Sequence, residues 1–303
     1  MTHVSVCIAT YRRSDRLSAL LEDLTQQRRK PGELIVVDND VGESARRVVE
    51  RQTAHGAPFP IRYAVQPIKN ISLTRNETVA LAGGEWIAFV DDDERAPEAW
   101  LHQLLDAAER FGADGVLGPV VPIVPPTAPA WIRRGRFYEF PRFPTGTVVP
   151  PHRLRFGNVL VRSMWLRDIP GPFDPAYGLT GGEDGDLLSR LVQRGARVVW
   201  CDEAVVHEPV EAARLSLRWL LRRALSGGQD FARHSLKGRY GSMSGGARAL
   251  FFSRALIQAI AAIGLALLSL PAGRHRAAHW LTKVAANIGK LSVFWGWRYR
   301  EYA

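Results

Sequence analysis

Along the first half of the chain, short apolar runs alternate with stretches where apolar residues recur every three or four positions. His3–Thr10 (HVSVCIAT) predicts a strand. Ser14-Asp15 then offers a helix N-cap, with Leu17, Leu20, Leu21 and Leu24 at helical spacing. Glu33–Asp38 (ELIVVD) predicts a buried strand, followed by a helix near Glu43–Thr53 and a strand at Ile61–Val65. A helix is expected over about Ser72–Ala82, closed by Gly83-Gly84. Glu85–Asp91 (EWIAFVD) is the next strand, and Pro97 opens a helix over Pro97–Phe111. Continuous apolar strands alternating with helices predict an α/β fold, Rossmann-like, with a mostly parallel sheet and helices on both faces.

Gly118–Pro151 breaks this rhythm with nine prolines among Trp131, Phe137, Tyr138, Phe140 and Phe143. It reads either as a rigid surface crossover or as an acceptor-facing lid with aromatic walls. Arg155–Val161 predicts a strand, Gly181–Arg194 a glycine pair running into a helix, and Arg197–Cys201 a strand followed by a loop with His207. From about Arg214 to Tyr302 the pattern is helical, with a breaker at Gly227-Gly228 and a glycine-rich stretch from Gly238 to Gly246. The organisation expected is an α/β domain over 1–210 and a helical region over 211–303.

Charge sharpens that division. From Glu211 to Ala303 there are 15 Lys and Arg against 3 Asp and Glu, a surplus of 12 in a chain whose net charge is +10. The body is therefore slightly acidic and the tail strongly basic, so an anionic surface, membrane or nucleic acid, is expected as a partner of the tail. Ala255–Leu270 carries no charge for 16 residues, flanked by Arg248, Arg254, Arg274 and Arg276. It reads as a buried helix, an interfacial or re-entrant segment, or a short span. With 46% hydrophobic residues, disorder as the main state is excluded. Cys7 and Cys201 are too few for a disulfide framework or a cysteine-only zinc site, and buried thiols in a reducing compartment are expected. No signal peptide is expected, because strand-like residues begin at His3.

The strongest chemical signal is Asp91-Asp92-Asp93-Glu94 at the end of an apolar strand. Ligands gather at the carboxyl ends of strands in open α/β sheets. Adjacent carboxylates repel unless a cation neutralises them, and Mg²⁺ or Mn²⁺ prefers oxygen ligands. The competing reading is a solvated acidic turn before the next helix. Asp38, with Asn39, ends another buried strand and is either a rim ligand or a turn former. Thr10, Tyr11, Arg12 and Arg13 offer a hydroxyl, an aromatic face and guanidinium groups suited to a base and a phosphate. Lys69, Asn70, Arg75 and Asn76 flank a helix start. Glu183-Asp184 follows Gly181-Gly182 at a helix entrance, as a general base or as an N-terminal cap. His207 is either structural or a neutral metal ligand.

Taken together, VSVCIATYRR, ELIVVDND, ISLTRNETVALAGGEWIAFVDDDE, GGEDGDLLSRL and VHEP resemble family-2 inverting glycosyltransferases of the GT-A fold. The segments lie in order over Val4–Pro209, and the resemblance is nearest to succinoglycan-type enzymes of bacterial exopolysaccharide synthesis. It implies that Thr10, Tyr11, Arg13 and Asp38 hold the nucleoside, that Arg75 and Asp92 lie near the nucleotide, and that Asp91 reaches the ribose. Asp93, completed by His207, would ligate a divalent metal, Mn²⁺ or Mg²⁺. Asp184 would be the catalytic base and Glu183 an acceptor-binding or orienting group. Ile71 departs from the glycine many relatives carry there, and the unbroken Asp91–Asp93 run leaves Asp92 as an alternative metal ligand.

The resemblance implies a nucleotide-sugar donor, most often UDP-linked, and a glycan or polyprenyl-linked acceptor at the cytoplasmic face of a bacterial inner membrane. Two other classes compete. A degenerate scaffold is disfavoured by intact Asp38, Asp91, Asp93 and Asp184. Nucleic-acid binding through the basic tail is disfavoured because the body is near neutral and no nucleic-acid motif is present.

Overall fold

A computed structural model describes residues 2–300, so the helical pattern expected to run to Tyr302 ends outside the described residues. The chain forms two compact units, one of residues 2–121, 140–179 and 183–208 and one of residues 122–139, 180–182 and 209–300.

The first unit is built on a seven-stranded sheet. Its strands are β1 (Val4–Thr10), β2 (Glu33–Asp38), β3 (Ile61–Val65), β4 (Trp86–Val90), β5 (Gly115–Leu117), β7 (Asn158–Arg162) and β8 (Val198–Trp200), in the order β3-β2-β1-β4-β7-β5-β8. β6 (Val120–Ile123) and β9 (Val206–Pro209) pair as a separate two-stranded sheet. All neighbours in the large sheet are parallel except β7, which runs antiparallel to β4 and β5. Alternation along buried strands explains why both faces are covered. Val4, Val6, Ile8, Leu34 and Val36 point into one core with Leu17, Leu20 and Leu21 of α1 (Ser14–Thr25) and Leu101 and Leu104 of α4 (Trp100–Arg110). Cys7, Ile35, Val37, Ile87 and Phe89 point into the other with Val79 of α3 (Ile71–Leu81) and Leu187, Leu188 and Leu191 of α7 (Glu183–Gln193). Two shorter helices, α2 (Arg46–Ala54) and α6 (Met164–Arg167), complete the layers.

Register brings the chemistry to one rim. Thr10 pairs with Asp38 at the carboxyl ends of β1 and β2. Val90 pairs with Asn158, so the antiparallel β7 begins where β4 ends. Asn158 is anchored there. It accepts from Trp100 Nε1 at 2.8 Å and donates to the carbonyls of Ala204 at 2.6 Å and Pro119 at 3.1 Å. These buried bonds fix the chain entering β7, because a buried amide without partners is costly.

Several local expectations change. Ser14 is the first helical residue rather than the cap, and its hydroxyl donates to the Ser44 carbonyl instead. Asn70 caps α3, accepting from the Leu73 N–H at 3.0 Å. Gly84 does not end that helix in a left-handed turn. A Cβ there would lie 2.6 Å from the Ser5 backbone nitrogen, so close packing requires the glycine. His207 lies on β9 rather than in a loop. Cys7 and Cys201 are buried free thiols, both pushed above the ordinary range by burial, Cys201 to about 11.

The second unit contains α5 (Ala130–Gly135), α8 (Leu217–Leu236), α9 (Gly245–Leu268) and α10 (Arg274–Ser292). Trp131, Phe137 and Tyr138 of the proline-rich stretch pack with Leu220 and Trp219 in this unit. Phe143 packs on Trp200 in the first unit. The expected breaker at Gly227-Gly228 lies inside α8, which runs through it unbroken. A Cβ on Gly228 would come 2.0 Å from the Ala286 carbonyl oxygen, and one on Gly289 would come 2.1 Å from that of Leu225. These glycines let α8 and α10 touch backbone to backbone.

α9 inverts the usual pattern of a helix in water. Ala255, Ala259, Ala262 and Ala266 face inward, whereas Leu256, Ile257, Ile260, Ile263, Leu267 and Leu268 are exposed. Only 22% of its most apolar window is buried.

Candidate active site

The rim carries a dense set of opposed charges. Asp92 follows β4 and is buried. It accepts from Thr10 Oγ1 at 2.7 Å and from Arg13 Nη1 at 2.9 Å. Burial and the charge of Asp93, opposed by Arg13 and Thr10, push its carboxyl up to about 6. Asp93 is also buried, paired with Arg13 at 3.1 Å and Arg16 at 3.6 Å. Glu94 turns back to accept the Asp91 N–H at 3.1 Å, and burial raises its carboxyl well above the usual range. Gly157 fits beside it with φ +104°, where a Cβ would lie 2.9 Å from Glu94 Oε1. Asp91 is different, because its side chain is 46% exposed. Of these four carboxylates it is the most exposed.

Arg75 joins this strand end to the second carboxylate pair. It projects from α3 between the rings of Phe156 and Phe173, with centroids at 5.2 and 5.9 Å. Nη2 donates to Asp91 Oδ1 at 3.1 Å and Nη1 to Glu183 Oε1 at 2.6 Å. Glu183 and Asp184 open α7 after Gly181 and Gly182, at φ +79° and +91°. Asp184 Oδ2 accepts the Phe156 N–H at 2.9 Å, and Oδ1 accepts the Gly185 N–H at 2.7 Å. The side chain therefore ties the first turn of α7 to the chain entering β7.

The nucleoside-side residues divide. Tyr11 presents a ring with Lys69 Nζ and the Arg12 guanidinium each 5.1 Å from its centroid. Arg12, at φ +54°, turns the chain out of β1 and forms a two-point ion pair with Asp40 at 3.1 Å. Asp38 is fully buried and accepts from the Asp40 and Ala45 N–H groups, the Ser44 hydroxyl and the Tyr63 hydroxyl. Those four donors match the lone-pair capacity of a carboxylate, so Asp38 shapes the loop after β2. Asn39 likewise holds the carbonyls of Gln66 and Ile68.

The structure does not gather Asp93 and His207 into a metal cage. Among the described residues no three His, Cys, Asp or Glu side chains converge as one. The His207 backbone pairs with Arg95 through two hydrogen bonds of 2.8 and 2.9 Å. A hard divalent ion that also takes diphosphate oxygens needs only one or two carboxylates, however. Asp91 and Asp93, crowded by Asp184 and Glu94, form a donor set that fits that mode.

Sequence reading missed Arg155. Its guanidinium lies 3.7 Å from the Phe140 ring centroid and faces Glu94, Asp184 and Glu208. Burial lowers it to about 10, so it remains a cation at neutral pH. Its only sequence signal is a cation two residues before a glycine that opens an apolar run, and the antiparallel turn into β7 gives no such signal.

Comparison with known proteins identifies the family and the fold. Residues 5–164 match the sequence model of the family described as Glycosyl transferase family 2. The chain is 35% identical over 266 residues to the succinoglycan biosynthesis protein ExoM of Rhizobium meliloti, covering 84% of each chain. It is 30% identical to the galactofuranosyltransferase GlfT1 of Mycobacterium tuberculosis over 67% of this chain and 69% of that one. Among solved structures it resembles the mannosyltransferase PcManGT of Pyrobaculum calidifontis in complex with GDP-Man and Mn²⁺. That match has a TM-score of 0.65 and 17% identity, and covers 96% of this chain and 86% of the other. It also resembles S. aureus TarS in complex with UDP, with a TM-score of 0.52 and 17% identity over 98% of this chain and 93% of that one. At such identities the structural matches show the GT-A fold alone.

Proposed function

The chain belongs to glycosyl transferase family 2, and from that premise we propose that it transfers a hexosyl group from a nucleotide sugar, with inversion, in bacterial exopolysaccharide synthesis. The acceptor is a hydroxyl of a glycan or lipid-linked glycan. The likeness to the succinoglycan protein supports the pathway class. The observation that carries the mechanism is Arg75, which ties the ligand-facing Asp91 to the Glu183–Asp184 helix entrance.

In this reading Tyr11 offers a face to the base and Asp91 takes the ribose hydroxyls. Arg13 lies toward the diphosphate. Asp184 accepts the proton of the acceptor hydroxyl as that oxygen forms its bond to the anomeric carbon. The bond from that carbon to the diphosphate oxygen breaks on the opposite face, and the leaving nucleoside diphosphate takes the electron pair. Glu183, held by Arg75, orients the acceptor. Asp93 would hold a divalent cation beside the diphosphate, where that cation would neutralise charge on the leaving group.

The test is a panel of UDP-, GDP- and dTDP-sugars with Mn²⁺ or Mg²⁺, scored by NMR of the product anomer, with UDP-sugars first. Asp184→Asn should bind donor normally and transfer at least about 10²-fold more slowly. Transfer at the wild-type rate, or a product with retained configuration, would overturn the assignment.

The second unit is the membrane-facing part of this proposal, peripheral or re-entrant at the cytoplasmic face of the inner membrane. The support is α9, whose alanines face inward and whose leucines and isoleucines face out, with Phe294 and Trp295 also 74% exposed. An exposed aliphatic surface flanked by arginines suits anionic lipid rather than nucleic acid.

A further inference from the structure

Residues 231–300 contain eleven Lys and Arg and no Asp or Glu. Within the second unit, part of this charge lines a cleft of about 390 Å³ bordered by Arg134, Ser269, His275, Arg276, His279 and Trp280. Arg134 lies in the last turn of α5, Ser269 caps the end of α9, and the other four occupy the first two turns of α10. Among the described residues, no carboxylate lines the cleft. Among the described residues neither Arg134 nor Arg276 makes an ion pair, and both are exposed. The start of α10 has no side-chain cap, so the dipole of a 19-residue helix adds positive potential there. Lys283 lies near enough to His279 to add to it.

Two guanidinium groups in one cleft repel each other, and no acidic residue offsets them. Such an arrangement is stable with an anion between them, and planar guanidinium groups match the oxygens of a phosphate. The neighbourhood specifies the rest of the ligand. Ser269 is flanked by Leu268 at 78% exposure and Leu270 at 61%, where the exposed aliphatic side of α9 ends. The Trp280 ring lines the same cleft, and tryptophan favours the boundary between headgroups and acyl chains.

We propose that this cleft binds the phosphate of a lipid headgroup, with the lipid chain lying along the exposed aliphatic side of α9. The proposal rests on the membrane reading above and deepens it. A general basic surface attracts any anionic membrane, whereas a cleft with convergent donors selects a phosphate monoester or diphosphate over a phosphodiester shielded by choline.

The experiment uses the full chain and water-soluble dihexanoyl phosphatidic acid below its micelle concentration, measured by titration calorimetry. Dihexanoyl phosphatidylcholine and inorganic phosphate are the comparison probes. Phosphatidic acid should bind, and both comparison probes should bind more weakly by about tenfold or more. Arg134→Gln combined with Arg276→Gln should weaken it by about tenfold or more, whereas the charge-matched pair Arg248→Gln and Arg254→Gln should change it by less than about twofold. Each single substitution in the cleft should give an intermediate loss, which covers the case of a double variant that does not fold. Absence of binding by the wild-type chain, or equal losses in the two double variants, overturns the site. Inorganic phosphate binding as tightly as phosphatidic acid overturns the lipid assignment. Flotation on vesicles of phosphatidylcholine with phosphatidylglycerol tests the membrane reading separately. Flotation without phosphatidic acid binding removes the cleft alone, and binding without flotation removes the membrane reading.

Discussion

Arg75 and Glu183 lie 108 positions apart in sequence and meet through a 2.6 Å hydrogen bond at the carboxyl rim of the sheet. The same guanidinium reaches Asp91, so one side chain from α3 sets the relation between two carboxylates on different elements.

Removing that link should affect stability and turnover together. Arg75→Gln removes a cation from the buried Glu183, which is expected to destabilise the protein by about 3 kcal/mol. Arg75→Lys keeps the charge but not the planar fork, so it should recover stability more than activity. Denaturant unfolding and turnover, measured on both variants, check this. Equal recovery of both by lysine would show that charge alone matters. A Glu183→Gln change in the Arg75→Gln background should cost much less than in the wild type, because the pair acts as one unit.

Glu33 gives a pH dependence of known sign. Its side chain is buried, and burial alone would raise the carboxyl. Hydrogen bonds from Ser5 at 2.6 Å and the Gly83 N–H at 2.7 Å, with the Arg62 charge, outweigh burial and lower it. A group whose folded value is depressed contributes stability above its unfolded value and loses it as pH falls through the folded one. Glu33→Gln should therefore cost about 2 kcal/mol at neutral pH. Against wild type, that cost should shrink below about pH 4, the unfolded range of a glutamate. Melting of both proteins from neutral to acidic pH measures the convergence, and a constant gap across the range would exclude the carboxylate as its source.

How much the sequence discloses depends on the kind of interaction. Strands buried on both faces leave continuous apolar runs, and for that reason β1, β2 and β4 are legible almost to the residue. Carboxylates at their ends are legible because strand ends are rims. β7 and β8 are legible as strands, but the three-residue β5 and the reversal of β7 between β4 and β5 depend on pairing with distant strands and leave no periodicity. Arg155 is placed by that pairing and the four donors on Asp38 by the loop after β2 and by β3, so composition cannot announce them. Gly227-Gly228 misleads for a related reason. Glycine lowers helix propensity, yet here its missing side chain is what permits contact between helices that are distant in sequence.

The helix contact can be tested at its narrowest points. Gly228→Val and Gly289→Val each place side-chain atoms where a Cβ already falls near 2 Å from a carbonyl oxygen of the facing helix. Neither carbonyl can move without its helix, so each change should destabilise the protein by at least about 2–3 kcal/mol through overpacking. Gly264, where an added Cβ would meet nothing within 4 Å, is the internal control. There Gly264→Ala should be neutral or gain up to about 1 kcal/mol from helix propensity. Thermal unfolding of the three variants separates these cases, and a helix broken at Gly227-Gly228 would tolerate valine at 228.

The two sides of α9 should respond in opposite ways to the same kind of change. Ile257, Ile260 and Ile263 are 65%, 62% and 48% exposed, so they contribute little to packing within the folded chain. Replacing all three by Gln removes apolar surface that water already touches, and the melting temperature should stay within a few degrees. Solubility should rise, because a large exposed apolar patch promotes association. Flotation on vesicles of phosphatidylcholine with phosphatidylglycerol should fall sharply, since burying apolar area in the acyl region supplies about 25 cal/mol per Å². The inward side behaves as a core. Ala259 is 6% exposed, and Ala259→Leu forces extra methylenes against neighbouring helices at a cost of about 1–3 kcal/mol. If α9 were instead a helix covered by protein on its aliphatic side, the glutamine variant would melt far below wild type and the leucine variant would be the milder change. Comparing the two melts alongside flotation decides which side of α9 meets protein and which meets lipid.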